Sequence, residues 1–307
     1  MFNTPILLLT FNRIDTTEKV LEAIRAIKPK QLFVVADGPR THKEGETAIC
    51  ENVRQLVLSR VDWDCELTTN FRTENLGCGI GVYQGISWFF EHVEKGIILE
   101  DDCLPDPSFF HFCADLLDYY ANNAKVMHIS GNNFQYGKRH GNASYYFSKY
   151  THNWGWATWR RAWNKYQFKI DDLQKSIDNR LFEDMGLSES EKKYWMGIFE
   201  ELKHGKTDVW DGQWLYSVWK NKGVSILPNK NLVKNIGFNQ QATHTFSIDS
   251  ILANIKTESI TRIQHNANMV INQKADQLSF DKTVLYKHSF MERVRNKIKY
   301  TLQQLKK

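Results

Sequence analysis

The chain has 307 residues, 42% hydrophobic and 24% charged, with a formal net charge of +5. That composition describes an ordinary globular protein with core enough for one large domain or two small ones. No apolar run approaches the ~18 residues of a membrane-spanning helix. Cys50, Cys65, Cys78, Cys103 and Cys113 are odd in number and lack C-x-x-C spacing, so neither a disulfide framework nor a zinc site is suggested.

In chain order, the first half alternates strand and helix. Ile6-Leu7-Leu8-Leu9, Leu32-Phe33-Val34-Val35 and Ile97-Ile98-Leu99 are short continuous apolar runs, as parallel strands covered on both faces require. The first run is too short for a secretory signal and reads as a strand. A helix follows it, with Asp15 as cap, Glu18 completing a capping box, and Val20, Ala23, Ile24 and Ile27 on one face. Residues 46–59 read as a second helix, 65–69 as a strand and 80–92 as a third helix. The expected fold class is α/β, an open and mostly parallel sheet flanked by helices. After Tyr150 the pattern changes to tryptophan-rich helices, then a strand at 224–227. From about residue 247 the sequence turns polar, which gives a core of 1–246 and a helical C-terminal extension of 247–307.

Charge is concentrated at the end of that extension. Residues 292–307 carry six basic residues against one acid, a net +5 equal to that of the whole chain, so the preceding body is formally neutral. A neutral body is not a nucleic-acid binder by charge. Val294, Ile298, Leu302 and Leu305 recur at helical spacing among the basic residues. The segment fits an amphipathic helix on an anionic membrane surface, or a terminal helix packed weakly on its own domain. The cysteine usage suits a reducing cytoplasm, and the helix would place the protein at the inner face of the plasma membrane.

Polar clusters follow three of the strands. Thr10-Phe11-Asn12-Arg13 follows the first, Asp37-Gly38 the second, and Glu100-Asp101-Asp102 the fourth. Ligands in open α/β sheets bind beyond the carboxyl ends of strands, so the three clusters predict one polar cleft. Carboxylates at a strand tip suit a hard divalent cation, Mn²⁺ or Mg²⁺, which in turn grips phosphates. Strand alternation would point Glu100 and Asp102 one way and Asp101 the other. The bland reading makes the acids companions of a helix start capped by Asp106 or Ser108. Gly77, Gly79, Gly81 and Gly85 do not complete G-x-G-x-x-G, since Val82 holds the sixth place, and a nicotinamide enzyme is not indicated. These glycines instead suggest a helix start whose amides lie near an anion or base.

The second half holds two aromatic motifs. In residues 152–163, Trp156, Trp159 and Trp163 would share one helical face and form core, while Trp154 and Trp156 straddling Gly155 could stack on sugar rings. In Trp210-Asp211-Gly212-Gln213-Trp214, Asp211 reads either as a helix cap or as a carboxylate among tryptophans suited to take a proton.

Taken in order, these motifs resemble the nucleotide-diphospho-sugar transferases of the GT-A (Rossmann-like) fold, and among them bacterial sugar transferases related to N-acetylglucosaminyltransferase I. The resemblance covers about residues 4–245 and rests chiefly on the acidic triplet with Pro105-Asp106-Pro107-Ser108-Phe109-Phe110. It implies an inverting, metal-dependent transfer from a nucleotide-sugar donor, a UDP-sugar by the Asp37 match, to a glycan or glycolipid hydroxyl. By resemblance, Asp102 is the direct metal ligand, and Glu100 and Asp101 contact the donor sugar and ribose. Asp37 meets the uracil; Thr10, Asn12, Arg13 and Gly81 border the nucleotide. Trp154, Gly155 and Trp156 wall the donor sugar and acceptor, and Asp211 is the catalytic base. His244 is left as metal ligand, acceptor contact or structural histidine. The alternatives are a non-catalytic carbohydrate-binding protein, or a sugar nucleotidyltransferase, whose Gly-rich loop should follow the first strand where none stands.

Overall fold

In the computed structural model, residues 2–238 and 255–285 are described. The first half alternates as the apolar runs predict: β1 (Ile6–Thr10), α1 (Ile14–Ile27), β2 (Gln31–Ala36), α2 (Glu46–Arg60), β3 (Glu66–Phe71), α3 (Gly77–His92) and β4 (Lys95–Glu100). Next come β5 (Cys103–Pro105), α4 (Pro107–Tyr119), β6 (Val126–Ser130), β7 (Tyr145–Ser148) and β8 (Trp156–Trp159). A run of helices follows: α5 (Arg160–Trp163), α6 (Leu173–Asp178), α7 (Leu181–Asp184), α8 (Glu189–Lys203) and α9 (Asp211–Lys220). The described chain closes with β9 (Val224–Pro228), β10 (Val233–Asn235), α10 (Gln273–Ser279) and a π-helical turn over Phe280–Leu285.

Eight strands form one open sheet in the order β3-β2-β1-β4-β8-β6-β9-β7. β3, β2, β1 and β4 are parallel, and β9 lies parallel to β6. β8 inserts antiparallel between β4 and β6, and β7 is antiparallel at the far edge. The fold class is therefore α/β, with an open, mostly parallel sheet flanked by helices. β5 and β10 pair as a separate antiparallel ribbon.

β1 shows why its run is apolar throughout. Ile6 and Leu8 join one core with Phe109, Phe110 and Leu116 of α4, while Leu7 and Leu9 join another with Phe89 of α3 and Trp214 of α9. Alternation sends successive side chains to opposite faces, and helices cover both. Two local expectations fail. Asp15 does not cap α1: Arg13 holds the N-cap position, and its carbonyl accepts the amide and hydroxyl of Thr17 at 3.1 and 2.6 Å. The tryptophan stripe is not helical either, since residues 156–159 form β8 and send Trp156 and Trp159 into opposite cores. The strand prevails because it fills the slot beside β4, pairing Gly96 with Thr158 and Ile97 with Ala157. Asp106 does cap α4, accepting from the Ser108 amide at 2.9 Å.

The described part of the C-terminal extension lies along the sheet edge. Ile271 bridges Phe147, and Ser144 exchanges hydrogen bonds with the backbone of Gln264. Asp276 is buried, accepting from the Ser148 hydroxyl at 2.5 Å and the Lys149 amide at 3.0 Å. Next to it Lys149 and Glu191 form an interior ion pair at 2.8 Å. The expected basic helix of 292–307 and His244 lie outside the described residues. Among the described residues no helix is long and apolar enough to cross a membrane.

Candidate functional site

The strand order reverses between β1 and β4, because the chain builds outward through β2 and β3 before returning to the other side of β1. Carboxyl ends at such a switch point splay apart and leave a crevice. Here the crevice is a cleft of about 280 Å³ with Thr10, Asp37, Gly81, Glu100 and Asp101 in its walls. The three strand-end clusters thus meet, as their positions in the sequence imply.

β4 ends at Glu100, and Asp101 and Asp102 lie in the following turn. The alternation expected of the triplet therefore stops after its first member, and both aspartates turn to one cation. Arg13 Nη1 donates to Asp102 Oδ2 at 2.7 Å and to Asp101 Oδ1 at 3.3 Å. The Phe11 amide donates to Asp101 Oδ2 at 3.3 Å, and Asn235 Nδ2 to Asp102 Oδ1 at 3.2 Å. Asp102 is so held between the β5–β10 ribbon and the start of α1. Burial first, then Asp102, Asp101 and Asp211, pushes the Glu100 carboxyl well above the usual range. Burial does the same to Asp101 against the pull of Arg13.

Three carboxylates thus face one guanidinium, an excess of hard oxygen donors and negative charge. Among the described residues no group of three or more His, Cys, Asp or Glu side chains is placed to hold a metal ion. Mg²⁺ and Mn²⁺ need no such group, since such ions keep waters and take one or two carboxylates plus substrate phosphates. The oxygen donors present are of the type such an ion takes.

The β2 end builds a second wall. Both oxygens of Asp37 accept from the Leu76 amide at 3.1 Å, Asn75 Nδ2 donates to Oδ2 at 3.0 Å, and Arg72 stands 3.6 Å away. Gly81 keeps this group open: a Cβ there would stand 3.2 Å from Arg72 Nη1. The Arg40 guanidinium lies 5.3 Å over the Phe11 ring and pairs with Glu46. Asn12 turns its amide to the same Glu46 at 2.9 Å, and the Thr10 hydroxyl points to the Val35 carbonyl at 3.4 Å. Both therefore order the loop, and their polar atoms are directed at the protein.

The start of α3 already holds an anion, and it is the chain's own. Cys78 and Gly79 amides donate to Asp208 at 2.9 and 2.7 Å. The sequence reading missed Asp208, which lies 129 residues from Gly79 with no local signal linking the two. It also missed Arg72, although the strand-end logic applied to β3 would have found it.

Asp211 is the first residue of α9 rather than its cap, and its Oδ1 accepts from the Gly212 amide at 2.9 Å. It is exposed, so the expectation of a carboxylate enclosed by tryptophans is corrected. It lies near enough to Glu100, Cys78 and Tyr166 for its charge to raise all three. The tryptophans lie beneath it: Trp210 stacks on Trp156 at 5.5 Å, and Trp156 on His128 at 5.0 Å. The Tyr166 hydroxyl holds the Trp210 carbonyl at 3.0 Å. Trp156 is buried at 1% exposure and cannot wall a sugar. Trp154 is half-buried against Phe134 and Phe238 and keeps that option. Gly155 has φ +62°, and a Cβ on it would stand 2.8 Å from Val233 in the ribbon beside Asp102.

No family model and no curated protein matches the chain. Solved structures resemble parts of it. An apo UDP-glucose pyrophosphorylase is 11% identical with a TM-score of 0.37, over 75% of this chain and 93% of that one. Mouse xyloside xylosyltransferase 1 is 11% identical with a TM-score of 0.33, over 70% and 81%. The glycosyltransferase GlyE of Streptococcus pneumoniae is 10% identical with a TM-score of 0.27, over 66% and 44%.

Proposed function

We propose that the protein is an inverting, divalent-cation-assisted glycosyltransferase that uses a nucleotide-diphosphate sugar, with a UDP-sugar as donor. The observation that carries this reading is the carboxylate excess after β4, meeting Arg13 at the switch point, with Asp211 near enough for its charge to raise Glu100. In this reading Asp37 receives the uracil N–H, and Phe11 with Arg40 borders the base. Asp102 is the protein ligand of Mn²⁺ or Mg²⁺, and Glu100 and Asp101 accept hydroxyls of the donor sugar and ribose. When bound, the ion neutralises charge developing on the departing diphosphate. Arg13 adds a fixed guanidinium to the same charge. Asp211 takes the proton of the acceptor hydroxyl from the side of the sugar opposite the leaving group, which inverts the anomeric centre. Trp154 and the turn at Gly155 border the sugar, and buried Trp156 stiffens the floor under Asp211. The acceptor is a glycan or glycolipid hydroxyl.

A thermal-shift panel of UDP, GDP, CMP and dTDP, each with and without Mn²⁺, tests the reading. UDP with Mn²⁺ should give the largest stabilisation. Equal shifts with and without the ion, or none with any nucleotide, would overturn it. Release of pyrophosphate from UTP and a sugar 1-phosphate would mark nucleotidyl transfer instead.

A further inference from the structure

Next to the β5–β10 ribbon, the loops 133–144, 229–231 and 255–262 line a groove of about 690 Å³, larger than the cleft itself. Its charged lining is Arg139, Lys230, Lys256 and Arg262 against Glu258. The excess is +3, in a body that is formally neutral outside its last sixteen residues. Among the described residues none of the four cations forms an ion pair. Arg139 donates to the carbonyls of Gly141, Asn142 and Ala143, and Lys230 to that of Ser259. Cations without carboxylate partners on one concave surface are the electrostatic footprint of an anionic ligand.

The groove is built rather than incidental. Asn229 bonds to the backbone of His140 and Ala143, and Asn231 to that of Asn133, Val233 and Lys256. Two buried or half-buried asparagines thus lock all three loops together, so the cations are presented on a preformed frame. At the lip, Tyr136 is held at φ +52°, a backbone region costly for an aromatic residue, directly before Gly137 at +83°. It offers an aromatic body of the kind that packs on sugar C–H faces. The frame also touches the β5–β10 ribbon beside Asp102. Asn231 holds the carbonyl of Val233 in β10, and Ser259 donates to Asp106 at 2.9 Å, four residues after Asp102.

We infer that this groove binds an anionic saccharide, a glycan bearing carboxylate or phosphate groups, as the acceptor of the transfer. The word acceptor rests on the proposed function; the binding of an anionic glycan rests on the groove alone. Tetragalacturonate serves as the probe, with cellotetraose as neutral control and inorganic phosphate as competitor, measured by calorimetry at 50 and 200 mM salt. The expected result is binding of tetragalacturonate that weakens with salt, no binding of cellotetraose, and at least five-fold weakening in Lys256→Gln/Arg262→Gln. Those exposed substitutions should leave the UDP–Mn²⁺ thermal shift untouched, so a loss of that shift in wild type would fail the donor reading and not this one. Equal binding of both tetrasaccharides, full affinity in the double variant, or complete displacement by millimolar phosphate would overturn the inference. So would binding of the wild type to phosphatidylglycerol vesicles that the double variant abolishes while tetragalacturonate does not bind.

Discussion

Replacing Asp102 by alanine tests both the ion pairing and the metal assignment. On like-charge grounds alone, removing one of three clustered carboxylates should stabilise the apo protein. The geometry reverses that expectation. Asp102 accepts the shorter of the two Arg13 hydrogen bonds, at 2.7 Å, and one from Asn235 at 3.2 Å, with Arg13 and Asp102 side chains only 21% and 13% exposed. A hydrogen bond to a charged group at such a site contributes about 1.5–3 kcal/mol. Arg13 retains Asp101 at 3.3 Å, and Glu100 is relieved of its strongest charged neighbour, which returns part of the loss. A net destabilisation of about 1–2 kcal/mol remains, or a melting temperature roughly 2–6 °C lower for a chain of this size. Asp102→Asn keeps a neutral acceptor and should recover about half of that shift, given ordinary neutral hydrogen bonds. Wild type with UDP and Mn²⁺ at 100 times the dissociation constant should gain about 2.7 kcal/mol, and both variants should lose the ion-dependent part. Differential scanning fluorimetry reads all of this. An unchanged or raised melting temperature for Asp102→Ala would refute the pairing argument. An increment from Mn²⁺ with UDP in Asp102→Ala as large as that in wild type would refute the metal role.

Asp211→Asn should keep UDP–Mn²⁺ binding and stability while transfer falls ~10²–10⁴-fold, as for loss of a general base; retention of a tenth of wild-type turnover would send the search for a base elsewhere. Asp37→Asn should weaken UDP about ten-fold or more, as expected for losing a charged acceptor, and leave other nucleotides nearly unchanged; uniform weakening would argue against a base contact. His128 supplies a pH test of the core beneath Asp211. Its Nδ1 accepts from Trp214 Nε1 at 3.1 Å and its Nε2 donates to the His152 carbonyl at 2.9 Å, so it is held neutral. Burial lowers it to about 3 and His152 to about 4. The folded state then binds fewer protons than the unfolded one, so their contribution is complete above ~6.5 and declines as pH falls below it. Each histidine should remove about 1 kcal/mol per pH unit between 6 and 5, from the 1.36 kcal/mol per unit limit. Urea melts of wild type and His128→Gln at both pH values check this, and identical pH slopes would refute it.

The parallel half of the sheet was legible because each buried strand is a continuous apolar run and each strand end is polar. The fates of Ile6 to Leu9 and of Glu100 follow from that pattern alone. Trp156 to Trp159 misled because aromatic residues at helical spacing also alternate, and only the vacant side of β4 decides between helix and strand. Asp101 and Asp102 were misassigned to opposite faces because the strand ends at Glu100, before either of them, and the alternation stops there. Asp208 was invisible, since its partners are amides contributed by a helix far away in sequence. The groove cations were equally hidden, scattered from Arg139 to Arg262 and gathered only by the asparagine frame.

The antiparallel strand at the centre of the sheet bears on how the chain is made. β4 is complete at Glu100, yet its second edge is unpaired until residues 156–159 have emerged and folded back. During synthesis the nascent chain therefore carries an apolar strand edge, Ile97 to Ile98, that satisfies its backbone only through later sequence. Unpaired edges of this kind are templates for intermolecular pairing, and long-range closures are slow. Truncations that stop before β8 should consequently aggregate, whereas those that include it gain a closed centre; the solubility limit should fall between residues 155 and 160.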